Sequence, residues 1–388
     1  MLRRISLLLI IYIATVAHAT AKEVDAFSED SVADLAYCAD SVIVERPGFF
    51  KRFTRTIGRI FAPEPDTLFI EPQKYNWTLM AQVTQSYDHF RLESGDSDEG
   101  NKYTLSLAPE HTTRFGPFFG WRWLFLGYTF NVNVLQMSRN KIDINSSFYT
   151  PSLGIDITYR DLGAGYQVKD MGLDDEDLSA GIKGMDVDGL KIKVRGLNVY
   201  YIVNNRRYSH QAVFNQTNRQ VHSAGSWMFG AGIYKNSIAM DWDSFKRSIA
   251  QHTDNDPRYL MNDSTLLFQK IGYTSIALSA GYGYNWVFAR NWAAAIQLTG
   301  AMTYIHSYEN ADISNKSILR NLFRDFSFSN FGIDGTARAG VVWNNSRWFA
   351  GANAIYHMYN YHQKHFKAYN IFGTVNVYVG FNFSRRKK

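Results

Sequence analysis

The sequence predicts an all-β chain: a transmembrane antiparallel β-barrel of about 14 strands (a range of about 12–16), preceded by a short N-terminal segment. Three observations carry that expectation. From Tyr75 to Phe383 apolar and polar residues alternate with a period of two. Aromatic rings gather at the ends of the apolar faces. The connections alternate between tight turns rich in basic residues and long, often acidic loops. No apolar run of about 18 residues follows the N-terminal region, so a helical span is excluded there.

Composition agrees. Hydrophobic residues make up 46% of the 388 residues and aromatics 15%, yet the mean hydropathy is −0.27, so the apolar residues are diluted evenly by polar ones. A net charge of +6 without a basic face argues against a nucleic-acid partner.

The elements follow in order. Residues 1–19 read as a secretory signal: Arg3 and Arg4, an apolar stretch Ile5–Val16, and small residues in Ala17-His18-Ala19. Cys38 is the only cysteine, which excludes an internal disulfide framework. Residues 20–74 form an N-terminal periplasmic segment. Within it Phe49, Phe50, Phe53, Ile57, Ile60 and Phe61 recur at helical spacing among Lys51, Arg52, Arg55 and Arg59, and Pro63 and Pro65 follow. This predicts a short basic amphipathic helix, lying on a membrane surface or packed at the barrel mouth.

The barrel is expected over 75–383, with strands starting near 75, 102, 124, 143, 164, 188, 207, 221, 237, 271, 292, 326, 348 and 368. The second strand runs from about Tyr103 to Trp121 in one parity, kinked at Pro109. The lipid-facing sets include Tyr75 to Val83, Ile276 to Trp286, Trp292 to Met302, Ile333 to Trp343, Trp348 to Tyr356 and Val375 to Phe383, each in steps of two. Their polar neighbours are mainly Gly, Ser, Thr, Asn and Gln, which suit a hydrated lumen. Lumen-lining candidates are Asp156, Arg160, Asp334, Arg338, Asn353 and His357. Asp156 and Arg160 share a face of one strand, as do Asp334 and Arg338, so each couple can pair or line a pore. Trp121, Trp123, Trp286, Trp292, Trp343 and Trp348 are the expected interfacial girdle, joined by Tyr200 and Tyr208.

Tight turns are expected at Arg122-Trp123, after Arg160, at 204–207, at Lys235-Asn236, at 289–291 and at 344–347. Long loops are expected at 91–101, 171–187, around 247–270 and around 307–325, the loops at 171–187 and 307–325 as exposed tips. An even strand count returns the chain to its starting side, which places both chain ends and the tight turns in the periplasm. The last strand closes the barrel, because an open edge in hydrocarbon would leave backbone groups unpaired. Phe381 and Phe383 have the character of a signal for barrel-assembly machinery, and 384–388 form a basic periplasmic tail.

The segments "DTLFIEPQKYNWTLM", "FGPFFGWRWLFLGYTF", "GLNVYYIVNNRRYS", "YGYNWVFARNW", "GVVWNNSRWFAGANAIYHMYNY" and "VNVYVGFNF" together resemble an uncharacterised family of Gram-negative outer-membrane β-barrels of the Bacteroidota type, a domain of unknown function. The resemblance covers about residues 66–383 and implies a barrel, outer-membrane localisation and contact with outer-membrane lipid and lipopolysaccharide. It implies no catalytic residue.

The search for chemistry is correspondingly short. His89, His210, His222, His252, His306, His357, His362 and His365 stand at no spacing that orders a nucleophile and a base. "DDED" at 174–177 lacks a calcium-loop pattern. No zinc spacing or phosphate-cradling loop is present, so neither a metal nor a cofactor is expected. Three readings stay open: a structural or small-solute channel barrel, a barrel enzyme acting on lipid or envelope substrates, and a surface-exposed binding or adhesion barrel.

Overall fold

A computed structural model describes residues 64–94, 103–109, 112–121, 124–127, 130–131, 141–162, 165–173, 176–187, 189–256, 259, 270–309, 330–363 and 366–386. The signal segment 1–19, the basic helix expected near 49–61, Trp123, the loop at 310–329 and the last two tail residues lie outside the described residues.

The strands in chain order are β1 (Ile70–Pro72), β2 (Tyr75–Ser94), β3 (Tyr103–Pro109), β4 (Thr112–Trp121), β5 (Leu124–Gly127), β6 (Phe130–Asn131), β7 (Lys141–Tyr149), β8 (Leu153–Leu162), β9 (Tyr166–Leu173) and β10 (Glu176–Asp177). They continue with β11 (Lys191–Ile202), β12 (Asn218–Gln220), β13 (Ala224–Ala239), β14 (Lys270–Ala289), β15 (Trp292–Glu309), β16 (Phe331–Asn344), β17 (Trp348–Gln363) and β18 (Phe366–Arg385). Two α-helices are described, α1 (Gln211–Phe214) and α2 (Trp242–His252).

All but β1 and β12 belong to one antiparallel sheet of 16 segments. β3 and β4 follow one another along β2 and fill one strand position, and β5 and β6 do the same along β4, which leaves 14 positions. The last strand pairs with the first over its whole length, from Tyr75 opposite Arg385 to Ser94 opposite Phe366. Tyr75, where β2 begins, and Arg385, where β18 ends, therefore lie at one end of the sheet, hereafter the chain-end side; the opposite end is the loop side.

The direction of the side chains makes this a transmembrane barrel. Leu278 is 67% exposed, Leu298 59% and Ile333 71%, whereas Gln297 and Arg338 on the opposite face are only 3% and 2% exposed. A water-soluble sheet would bury the first set and expose the second; the inverse suits a sheet with hydrocarbon outside it. Trp121, Trp286, Trp292 and Trp348 point outward at the chain-end side, with Trp343 half-buried among them. Phe381 and Phe383 join this ring, Phe381 tilted against Trp348 with ring centroids 5.2 Å apart. Nearer the loop side the outward aromatic pairs are Tyr87–Tyr356 and Tyr304–Phe331.

Several boundaries differ from those expected. β3 and β4 keep one neighbour across Pro109, but the single parity expected from Tyr103 to Trp121 does not hold: Leu105 and Leu107 are buried opposite Leu92 and Phe90, whereas Phe115 and Phe119 are exposed opposite Val83 and Leu79. Their other edges part as well: β3 pairs β9 and β4 pairs β5 and β6. Proline supplies no N–H to continue a ladder. Lys235-Asn236 is no turn but lies inside β13, and no strand starts at 207 or 237. The stretch after Arg160 does not reverse the chain either. Counting antiparallel pairings round from β2, β8 and β9 run the same way, so β9 carries the path onward to a new partner. The 171–187 segment, expected as an exposed tip, is packed: Leu178, Ile182, Met185 and Val187 are buried, and residues 184–187 bond the free edge of β9, with Val168 N donating to Met185 O at 2.9 Å. Among them the residues form the loop-side core with Phe90, Leu107, Val168, Leu190, Ile192, Ile271 and, from α2, Phe245 and Ile249. α2 starts at the Asp241 side chain, which accepts from Ser244 N.

Candidate functional site

Among the described residues the inward face is polar in its middle and packed at both ends. The loop-side closure is the apolar core just described. The chain-end closure is residues 203–223, the connection from β11 to β13, which enter the lumen as a plug.

Sequence reasoning took 204–207 for a tight turn followed by a strand; the chain instead folds inward through α1. Side chains here have no period of two to offer a ladder, and the polar ones bond backbone locally. Gln216 Nε2 donates to Val213 O at 2.7 Å and to Tyr378 Oη at 2.6 Å, holding Gln216 at φ 57°. Gln211 Nε2 donates to Tyr149 O at 2.6 Å. Gln220 Nε2 donates to Arg207 O at 2.7 Å and to His222 O at 2.8 Å, while its Oε1 accepts from Ser209 N. From the wall, Asn285 Nδ2 donates to Ser209 O at 2.8 Å. Each of these buried amide nitrogens is thus bonded, as burial requires, while Asn285 Oδ1 is buried without a hydrogen-bond partner among the described residues.

β12 then pairs with β1, so the residues just before the barrel tie down the plug. Arg219 bridges Glu71 and Asn291, and Lys74 also pairs with Glu71. Burial alone would raise the Glu71 carboxyl, but the hydrogen bonds and charges of Lys74 and Arg219 hold it below the usual carboxylate range.

The plug also has an apolar foot. Val213 is fully buried against Met80, Ala293, Ala295, Val342, Phe349 and Tyr378. The wall is cut to receive it: a Cβ at Gly340 would stand 2.8 Å from Val213 Cγ1. Gly340→Ala is therefore expected to destabilise the barrel by ~1–3 kcal/mol through overpacking, and adding Val213→Ala should recover part of it. Urea unfolding of the two variants checks this; an additive double variant would show that the two positions do not touch.

Above the plug, charged groups meet across the lumen. Arg338 on β16 donates through Nη2 to Asp156 on β8 at 2.7 Å and through Nη1 to Tyr200 Oη on β11 at 2.6 Å. Asp156 also accepts from Ser147 Oγ at 2.7 Å. His210, from the plug, places Nε2 3.2 Å from Tyr200 Oη and Nδ1 3.5 Å from Tyr208 Oη, with Phe214 stacked on the ring. A guanidinium nitrogen stands 3.5 Å from Nε2 and can only donate, so the network assigns the acceptor role to that nitrogen. Arg160 pairs instead with Asp88 on β2 at 2.8 Å, and its guanidinium lies over Phe372. Asp334 accepts from Thr303 Oγ1 at 2.7 Å and Asn360 N at 3.1 Å.

All six lumen candidates point inward: Asn353 accepts from Asn376 Nδ2 at 2.8 Å, and His357 Nδ1 lies 3.2 Å from Thr336 Oγ1. The expected couples within one strand do not form. Asp156 takes Arg338 and Arg160 takes Asp88, because a buried carboxylate needs the donor that the folded wall brings opposite it. Tyr200 and Tyr208 are 4% and 0% exposed, so they belong to the lumen network and not to the girdle. Asp88, Tyr149, Gln216 and Gln220 were missed, and His210 was considered only as one of eight unordered histidines; only the polarity of "YSHQAVFNQTNRQ" hinted that this stretch is not a strand.

Between plug and loop-side core lies a cavity with about 30 Å³ open to the centres of water-sized molecules, bordered by Tyr234, Gln297, Thr299, Asp334, Arg338 and Tyr359. That suffices for about two or three waters. Gln297 Oε1 and Arg338 Nε are buried without a hydrogen-bond partner among the described residues and adjoin this space. Among the described residues no cluster of His, Cys, Asp and Glu suits a metal ion.

The family model described as "Domain of unknown function (DUF4421)" matches residues 64–383. No curated protein matches the chain. Among solved structures, the outer membrane protease OmpT from Escherichia coli aligns with a TM-score of 0.34 at 8% identity, over 79% of this chain and 97% of its own. The outer membrane protein OprG from Pseudomonas aeruginosa aligns with a TM-score of 0.22 at 11% identity, over 81% and 99%. The translocator domain of the autotransporter NalP from Neisseria meningitidis aligns with a TM-score of 0.26 at 10% identity, over 86% and 94%. At such scores and identities these likenesses carry no argument about activity.

Proposed function

From the premise that the chain belongs to the family Domain of unknown function (DUF4421), we propose that it is an outer-membrane barrel whose lumen is closed in the resting protein, a structural barrel in place of an open pore. The observation that carries this is the plug: residues 203–223 sit in the chain-end mouth on bonded amides, and the loop side has an apolar core of its own. An open pore needs a continuous hydrated path, and the space between the two seals is a cavity of about 30 Å³.

The second reading, a small-solute channel, has one observation in its favour. The plug's attachment at the mouth is electrostatic, through Arg219, Glu71 and Lys74, and such contacts release more readily than a packed core. Planar-bilayer recordings separate the two. Wild type is expected to pass no steady current, and so is Arg219→Ala/Glu71→Ala. Current from wild type would overturn closure; current from the variant alone would establish a channel gated by the plug.

The proposed orientation places the chain ends in the periplasm. In a Cys38→Ser background, a membrane-impermeant maleimide should label Lys183→Cys on intact cells and Arg386→Cys only after lysis. The reverse pattern would refute it. Phe381 and Phe383, on the outward face of the closing strand, remain our proposed contacts for barrel-assembly machinery.

A further inference from the structure

On five neighbouring strands the outward face changes from apolar to polar at one row. Reading toward the loop side, Ile157 and Tyr159 precede Asp161 on β8, Leu197 precedes Arg195 on β11, and Ile233 precedes Lys235 on β13. Ile276 precedes Thr274 on β14, and Tyr304 precedes His306 on β15. The register links them side by side: Tyr159 faces Arg195, Arg195 faces Lys235, Lys235 faces Thr274 and Thr274 faces His306.

The centre of that row is unbalanced. Arg195 and Lys235 are directly opposed like charges, an arrangement that destabilises a sheet. Neither has an acidic partner among the described residues. Lys193, one step along, is matched by Asp161 at 2.8 Å, whereas Arg195 has, among the described residues, only the ring of Tyr159, 5.4 Å from its guanidinium carbon. Beside them Thr274, 2% exposed, keeps a hydroxyl with no hydrogen-bond partner among the described residues. Two cations, an unused hydroxyl and an imidazole in one row are the donor set that a phosphate takes.

We propose that Arg195, Lys235 and Thr274 bind the phosphate of a lipid headgroup, a phosphorylated glycolipid of the outer leaflet, from the outside of the barrel. A lipid is favoured because the row stands where the outward apolar wall ends: Leu197, Ile233 and Leu278 are exposed just beyond it and would run alongside the acyl chains. An anion from solution would have no use for that wall. The leaflet rests on the orientation proposed above.

Native mass spectrometry tests the site on the full-length barrel in detergent, offered lipid A with its phosphates or the same lipid A dephosphorylated. Wild type should retain the phosphorylated form about tenfold better, the worth of one charge-assisted contact. Arg195→Gln/Lys235→Gln should lose the preference, and Lys193→Gln, whose lysine is already paired, should keep it. A heat-modifiability gel establishes that each variant is folded. Equal retention of both lipids by wild type, or an unchanged preference in the double variant, would overturn the site. Release of the lipid by excess inorganic phosphate would overturn the lipid assignment. The maleimide experiment fails independently: reversed labelling refutes the leaflet even where the lipid preference holds, and lost preference with the expected labelling refutes the site alone.

Discussion

Arg338→Ala is expected to cost ~3–5 kcal/mol of barrel stability, because it strands the Asp156 carboxylate inside the lumen without its counter-charge. The arginine is 2% exposed and joins three walls at once: β16 by its own backbone, β8 through Asp156 and β11 through Tyr200. Ser147 and Asn198, the remaining partners of Asp156, are neutral and do not replace a cation. Urea refolding titrations of wild type, Arg338→Ala and Arg338→Met/Asp156→Leu measure this. The double variant should recover most of the loss, since an apolar pair of similar volume avoids the stranded charge. A double variant as unstable as Arg338→Ala would mean that the arginine matters mainly through Tyr200 and His210, and a single variant close to wild type would show that water reaches Asp156. Were Arg338 lining an open pore, its removal would instead widen a conducting lumen. The plug and the loop-side core make stability, not conductance, the first quantity to change.

Ile296→Arg should cost ~2–4 kcal/mol, the penalty for an arginine placed on the lipid face of a transmembrane strand. Ile296 is 55% exposed and has apolar residues on both sides along its face. Alternation alone implies that its neighbour Gln297, pointing into a hydrated lumen, accepts arginine far more readily. The fold reverses that expectation. Gln297 is 3% exposed and stands directly opposite Arg338 in the ladder. A second guanidinium there would be a buried like charge, so Gln297→Arg should also be strongly destabilising, by an amount comparable with Ile296→Arg. Gln297→Glu should be milder, because the unused Arg338 Nε lies beside it as a donor. Refolding titrations of the three variants decide it. A tolerated Gln297→Arg would restore the picture of a wide, wet lumen and count against the proposed closure.

The sequence by itself determined the face of most strands; the exception is β3, whose Leu105 and Leu107 lie inward although they share the odd parity of the outward Phe115 and Phe119. Which side a residue takes depends only on the local period of two, so the lipid-facing sets, the inward position of Asp156, Arg160, Asp334, Arg338, Asn353 and His357, and the closing role of "VNVYVGFNF" could all be read without a partner in view. The outward direction of Trp121, Trp286, Trp292 and Trp348 was legible for the same reason, since they end alternating runs. What the tertiary structure alone decided is who meets whom across the lumen. Arg338 and Asp156 are 182 residues apart, with four strands between them round the wall. On a single strand, Asp334 looked like the natural partner of Arg338. Nothing local distinguishes the two carboxylates. The plug was hidden for a related reason: its buried glutamines and asparagines carry no periodicity, and they become a structure only when the lumen supplies Tyr149, Asn285 and Tyr378 as their partners. Alternation fixes direction because it is a property of each residue and its neighbours. Closure of the lumen depends on distance between segments far apart in the chain, which no short window of sequence contains.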